Sequence, residues 1–324
     1  MNIKSFVIIF FLTIYAGQIL YAQSLSAGIT LHESKKYEEA FRQFSTIAKS
    51  HPQYAESRYY MGLISMQKNE QSKAEEYLKQ AISANAGVAK YHYSIAIVLG
   101  RMAREANMVK QASLAGRIKT HLETAVKIDP KNMNASFMLV GLYMRAPKIM
   151  GGDPEKARNV ANDMMKYNRA EGLRALGFVA QSENKDQEAE THYKNAMNAS
   201  PDSLKYYQAL ASFYQSTSKH DDALLIYERT ISRFPSDKNL NLQAGRAAAM
   251  SGAKNSDKAR KYLNAWIAEN KQGNERNLAN AWYYLGITEK NGNNLHAARN
   301  HFNAALKINP EHRQAKEALK ELNP

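Results

Sequence analysis

The sequence predicts an all-α chain built as an array of repeated helical hairpins. Three observations carry that prediction. Helix breakers are sparse, with 16 Gly and 8 Pro in 324 residues, and Ala, Lys, Asn and Leu are abundant. A pattern of small, aromatic and proline residues returns at a fixed interval, as when Gly28, Ala40 and Phe44 reappear 34 residues later as Gly62, Ala74 and Leu78. A fixed period of that length marks a repeat architecture. Stretches such as Leu114, Ile118, Leu122 and Ala125 keep the spacing of one helical face.

The first 22 residues stand apart from this array. Lys4 makes a basic start, and the run from Phe6 to Leu20 is mostly apolar over 15 residues. Leu20-Tyr21-Ala22 then offers a small residue before a cut at Gln23. This is the anatomy of a secretory signal, and the run is shorter than the ~20 apolar residues a membrane span needs. An uncleaved N-terminal anchor is the alternative. The chain has no Cys, which excludes a lipid-modified Cys at the cut, a disulfide framework, thiolate metal sites and a thiol nucleophile.

The elements follow in order as pairs of helices. Residues 23–54 hold Gly28, Ala40, Phe44 and Pro52, and residues 55–88 repeat the frame with Gly62, Ala74, Leu78 and Ala86. Residues 89–132 keep Ile95-Ala96, Leu122 and Ala125 and are stretched by about ten residues within 101–117. There the first helix is expected to end later and the second to begin earlier. Residues 133–169 carry Leu139, Tyr143, Ala157 and Ala161, and 170–203 carry Leu176-Gly177, Ala189, Tyr193, Ala196 and Pro201. In 204–237 the frame holds Tyr207, Leu210-Ala211, Tyr214, Ala223, Tyr227 and Pro235. A stretched copy, 238–278, keeps Gly245, Ala259, Leu263 and Trp266. The clearest copy, 279–312, has Trp282, Leu285-Gly286, Ala298, Phe302, Ala305 and Pro310, and a polar-faced closing helix follows within 311–324.

The spacing has a physical cause. Gly or Ala in the first helix and Ala in the second mark the closest approach of the pair, where a larger side chain would force them apart. Leu and aromatic residues fill the space between hairpins, and Pro stops the second helix. No hairpin buries its apolar face alone, so neighbours must stack.

On these residues the chain resembles the tetratricopeptide repeat, W-x2-L-G-x2-Y…A-x3-F…P. In 279–312 only the Tyr slot departs, being Glu289. The resemblance covers nearly all of 23–324 and implies a right-handed α-solenoid of about eight repeats plus a cap. It implies a protein-binding scaffold with no cofactor. A finer resemblance, over 89–165, is to exported bacterial tetratricopeptide proteins of unclear function.

One stretch, RAPKIMGGDPEKA at 145–157, looks like a phosphate loop. A Walker loop needs G-x4-G-K-[ST] between strand and helix, and here there is no Gly-Lys and no following Ser or Thr. Asp153 before Pro154 reads instead as an N-cap with Pro at the first helical position, with Gly151 and Gly152 giving the longer turn its freedom. The nine His give no metal pair: His296 and His301 do not share a helical face, and His32-Glu33 lacks the second His of a zinc-protease motif. His92 fills an aromatic slot and is expected in the core or groove. There is no G-x-S-x-G, so no catalytic residue and no metal site is expected.

Two surfaces remain. The resemblance places the inner face of each first helix along a concave groove. That face holds Tyr59, Leu63, Met66, Tyr93, Ile97, Phe137, Met144, Phe178, Tyr283 and Ile287, with polar Gln208, Ser212 and Arg246. Several of these slots could equally pad the core between repeats. Leu25, Ile29, Ser94 and Ala209 depart from the Lys, Asn and Arg of the subgroup that clamps a C-terminal carboxylate. The second surface is basic. After the cut, 43 basic residues face 30 acidic ones, and residues 89–150 alone hold ten basic and three acidic. Arg101, Arg104, Lys110, Arg117 and Lys119 lead this face. A solvated surface explains it, and so does docking to an anionic envelope surface. Nucleic acid is not expected to meet an exported chain.

The expected protein is therefore an exported scaffold, periplasmic in a Gram-negative cell or else secreted, that holds a peptide or protein partner and is not an enzyme. The alternative reading is an accessory subunit of an envelope enzyme or assembly complex, or an enzyme with an unrecognised site. The mature chain is expected to begin at Gln23; an intact mass that still includes Lys4 would favour the anchor.

Overall fold

The computed structural model describes residues 25–270 and 275–322. The expected signal segment and its cut at Gln23 lie outside the described residues. The described chain is all helix, and successive helices pack in antiparallel pairs. It divides into two compact units, one ending at Asn168 and one beginning at Arg169.

The first unit holds four pairs. Helix α1 covers 25–33 and packs with α2 (Tyr37–Ser45). Helices α3 (Tyr54–Gln67) and α4 (Gln71–Ala84) follow, then α5 (Ala89–Arg104) and α6 (Met108–Ile128), then α7 (Met133–Arg145) and α8 (Pro154–Tyr167). The extra residues of the third pair lengthen both helices, as the spacing predicts. In the second unit the pairs are α9 (Arg169–Ser182) with α10 (Asp186–Ala199) and α11 (Leu204–Ser216) with α12 (His220–Arg233). Next come α13 (Asn239–Met250) with α14 (Ser256–Glu269) and α15 (Glu275–Asn291) with α16 (Leu295–Ile308). Helix α17 (Arg313–Glu321) closes the array.

In the first, second, fifth and eighth pairs a glycine lies under a large side chain. A Cβ built on Gly28 would stand 2.5 Å from the Phe44 ring, on Gly62 2.8 Å from Leu78, on Gly177 3.0 Å from the Tyr193 ring, and on Gly286 2.3 Å from the Phe302 ring. All four partners sit 16 positions downstream. Phe44, Leu78 and Phe302 are fully buried. Proline then lies two residues past the second helix, at Pro130, Pro201, Pro235 and Pro310, where its ring cannot continue the spiral.

The short turns inside the pairs share one geometry that glycine does not mark. Lys35, Asn69, Asn184, Ser218 and Asn293 all have φ near +60°. In each, the next residue donates its N–H five positions back, as in Glu70 to Ser65 and Lys219 to Tyr214, at 2.8–2.9 Å. The left-handed residue itself bonds three back, which makes the Schellman arrangement that satisfies the last carbonyls of the first helix. The stretched pairs depart from this. Between α5 and α6 the turn is short and Asn107 caps α6, accepting from the Lys110 N–H at 3.0 Å. Between α7 and α8 a 3-10 turn, Lys148–Met150, leads into Gly151 at φ 92°.

Neighbouring pairs are tied by ion pairs at repeat spacing. Lys254 reaches Asp221 at 2.7 Å and Lys219 reaches Glu190 at 2.7 Å. Lys194, Lys219 and Tyr214 hold the Glu190 carboxyl well down, at about 2. Glu289, the residue in the departing Tyr slot, is buried and bonded by Arg260 at 2.6 Å. The cap turns Ala315 and Ala318 onto Phe302 and its charged side chains outward, while His312 accepts from the Ala315 N–H at 3.2 Å.

The helical glycines test this packing. Gly286→Ala is expected to destabilise the fold by about 1–3 kcal/mol, because the new Cβ must displace a buried ring. Gly116→Ala in α6, with no atom within 4 Å of the added Cβ, is expected to stabilise it by about 0.5–1 kcal/mol. Urea melts of the two variants compare them directly; equal shifts would remove the close-approach explanation.

Candidate partner-binding surface

The glycine-rich connector is a structural turn. Asp153 caps α8, its carboxylate accepting from the Lys156 N–H at 3.0 Å, and Pro154 opens the helix, as the spacing predicts. The two glycines are needed for different reasons. Gly151 has a positive φ. Gly152 is held by steric crowding, since a Cβ there would fall 1.8 Å from the Ala146 carbonyl oxygen. The connector lies against α6 through Lys119, whose chain comes within 3.1 Å of a Cβ built on Gly151.

The structure places all ten groove candidates on first helices and leaves every one of them half-buried. Tyr59, Leu63 and Met66 come from α3, Tyr93 and Ile97 from α5, and Phe137 and Met144 from α7, all in the first unit. Phe178 on α9 and Tyr283 and Ile287 on α15 belong to the second unit. Gln208, Ser212 and Arg246 are exposed.

Their surroundings divide them. Tyr59 is braced: its ring is 5.1 Å from Tyr91 and 5.4 Å from Tyr60, it packs on Ala55 and Ala81, and the Lys90 ammonium stands 4.8 Å over its face. Tyr283 lies among Tyr284, His312 and Phe302 at 5.1–5.8 Å, and with Ile287 it packs on the core under the cap. In the second unit a cavity of about 130 Å³ is lined by Tyr283, Tyr284, Gln215, His220, Arg246 and Gln314. The Gln215 amide nitrogen and His220 Nδ1 are buried without a hydrogen-bond partner.

The basic face is smaller than the sequence implies. Arg101 is half-buried and donates to the Met66 carbonyl at 3.1 Å. Arg117 is bound to Glu75 at 2.5 Å, and Lys79 shares that carboxylate at 2.6 Å. Burial opposes ionisation of Glu75, but these two cations hold it below the usual carboxylate range. Arg104 and Lys110 remain exposed and Lys119 partly so. The correction is physical: Arg101 and Arg117 reach across to the preceding helix pair, where the Met66 carbonyl and the Glu75 carboxylate take up their guanidinium groups.

His92 is buried, as its aromatic slot implies, but it is half of a pair that the sequence does not disclose. Its Nε2 lies 3.0 Å from the Ala86 carbonyl and its Nδ1 lies 3.1 Å from His121 Nδ1. A carbonyl only accepts, so Nε2 of His92 donates and its Nδ1 receives the proton of His121. Among the described residues no three His, Asp or Glu side chains are placed to hold a metal ion. No described helix is long and apolar enough to cross a membrane.

Comparisons agree with this architecture. Models of the tetratricopeptide repeat match residues 25–89 and 279–312. The chain is 15% identical to yeast Tom70, with a TM-score of 0.62 over 89% of this chain and 58% of that one. A tetratricopeptide repeat protein from Parabacteroides merdae superposes with a TM-score of 0.57 over 94% of this chain and 99% of its own, at 11% identity. The human protein O-mannosyl-transferase TMTC3 is 23% identical over 209 residues. That match takes in 64% of this chain and spans about a fifth of the human protein, 22%; the activity in its name is that protein's. The matched segments are tetratricopeptide repeats, and the whole described chain has the fold of tetratricopeptide-repeat proteins.

The histidine pair makes a pH test. Burial, then the neighbouring His92 and Arg117, push the His121 pKa down from 6.5 to about 4. The unfolded chain therefore binds more protons between these values, and stability is full above about pH 6.5 and lost as pH falls towards 4. His121→Gln is expected to flatten the stability profile in that window. Because burial also lowers His220, His301 and His312, the quantity to read is the difference between wild type and variant in urea melts. No difference across the window would remove His121 from the account.

Proposed function

We propose that the protein is an exported, non-enzymatic scaffold that holds a peptide segment of a protein partner on the first-helix face of its first unit. The reading is supported by one observation above the others. Leu63, Met66, Tyr93, Ile97, Phe137 and Met144 are all apolar or aromatic, all on α3, α5 and α7, and all half-exposed. Apolar surface left in water at three consecutive helices is a cost that a partner's side chains relieve. Aromatic residues in such strips carry much of the binding energy, which points to Tyr93 and Phe137 as anchors. Burial already raises the Tyr93 phenol above its ordinary range, so it would act as a neutral ring with a hydrogen-bonding tip. The reading of export rests on residues 1–22 alone, and the lack of Cys is compatible with an oxidising compartment, periplasmic or secreted.

The anchors separate from the braced residue in one experiment. A partner is first captured by crosslinking in the native envelope; then Tyr93→Ala, Phe137→Ala and Tyr59→Ala are measured for melting and affinity together. Loss of roughly 1–3 kcal/mol in binding with little change in melting is expected for Tyr93 and Phe137. For Tyr59, which is wedged against Tyr91, a loss of about 2–4 kcal/mol in folding stability is expected instead. If all three melt early while the folded fraction binds normally, the groove reading fails.

A further inference from the structure

Among the described residues, the three most exposed large apolar side chains are Met108 at 76%, Val109 at 83% and Ile149 at 93% of their full surface. Single exposed apolar residues are ordinary on a protein surface. Two of these three are neighbours. All fall inside the basic segment 89–150, and all sit at the turn ends of the third and fourth helix pairs. Met108 and Val109 are adjacent, and the 3-10 turn that carries Ile149 packs against α6.

The tip is built, not frayed. Asn107 caps the first turn of α6, and the Gln111 amide donates to the Ala106 carbonyl at 2.9 Å. Met108 and Val109 occupy the first two helical positions and are held outward on this turn. Arg104 and Lys110 flank them, both exposed, and among the described residues neither takes part in an ion pair. Lys148 is exposed beside Ile149. The first turn of α6 has no acid, so its own backbone N–H groups add positive potential there. Glu105 is the acid in this turn; Asp153 is occupied with capping α8.

We propose that this edge docks on an anionic lipid surface, with Met108 and Val109 entering between head groups and Arg104 and Lys110 taking the lipid phosphates. Two features favour lipid over protein. Protein interfaces enrich aromatic residues at their centre and deplete Lys, whereas this tip has no aromatic residue among 104–110 and sets Lys110 directly beside its aliphatic pair. Long cationic side chains beside an aliphatic wedge suit the head-group boundary, where the stem lies in apolar surroundings and the charge stays wet. The edge needs neither the groove on the first helices nor any bound peptide, so it stands apart from the proposed function.

The test uses the mature protein and vesicles of phosphatidylcholine with or without phosphatidylglycerol, read by co-sedimentation. Binding is expected only to the anionic vesicles and is expected to fall with salt as charges separated by about 10 Å become screened. Each removed cation should weaken binding by about fivefold, so the Arg104→Glu, Lys110→Glu double variant should bind far less. Met108→Asp with Val109→Asp should lose roughly tenfold or more, and Leu225→Asp, exposed at 64% in the second unit, should bind like wild type. Val109→Trp should shift its fluorescence to the blue on adding anionic vesicles. All these positions are exposed, and unchanged melting confirms the fold. The proposal is overturned by failure of the wild type to bind anionic vesicles at low salt. It is equally overturned if the Met108, Val109 variant binds them normally, or if that variant loses a protein partner while vesicle binding stays absent.

Discussion

Five of the helix pairs depend on a contact between a glycine and a ring or leucine 16 or 18 positions later. In the first, second, fifth and eighth pairs that small residue is Gly28, Gly62, Gly177 or Gly286, and the space a Cβ would need is already filled. Gly245 does the same against Leu263 in the seventh pair, where a Cβ would stand 2.6 Å away. Bringing two helices this close buries the large partner completely and sets the angle at which the next pair must stack. Interiors packed at such density tolerate little change in volume. The rest of the chain is arranged around keeping this contact: proline to end the second helix, a tight turn to return it, and ion pairs to lock one pair on the next.

Once the pairs stack at a fixed repeat, equivalent positions on first helices recur on the same face. Tyr59 and Tyr93 stand in the same slot 34 residues apart, and Phe137 and Tyr283 fill it in their own pairs. Equivalence of position is not equivalence of role. Tyr59 has Tyr91 and Lys90 against it, and Tyr283 has the closing helix beside it. A slot at the end of an array, or next to a bulky residue in the following pair, becomes part of the core that supports its neighbours. Tyr93, Phe137, Ile97 and Met144, on α5 and α7, each keep part of their surface in solvent.

The period, the small-over-large contact and the Asp153-Pro154 helix start were legible because each follows from local chemistry that any copy must satisfy. What was not legible depends on partners distant in sequence. Lys35 and Ser218 adopt a left-handed conformation that composition assigns to glycine, and only the two bonds of the turn reveal why they accept it. Glu289 reads as a mismatch to the repeat until Arg260, 29 residues earlier, is seen to neutralise it in the core. His92 reads as a substituted aromatic until His121 appears across the hairpin. Charge counting over 89–150 likewise overstates the basic face, since it cannot tell that Glu75 on another helix pair holds Arg117.

The stretched third pair shows where this architecture permits novelty. Its additional residues extend both helices: Leu114, Ile118, Leu122 and Ala125 are buried along one face of α6, whereas a Cβ on Gly116, off that face, would meet nothing within 4 Å. Met108 and Val109, at the start of α6 ahead of that buried face, are exposed, so their identity is not fixed by packing. An unconstrained tip that merely had to stay in water would be expected to carry small polar residues. This one carries Met108 and Val109 on a capped turn between Arg104 and Lys110. Packing does not account for that choice, whereas a docking role for the tip does.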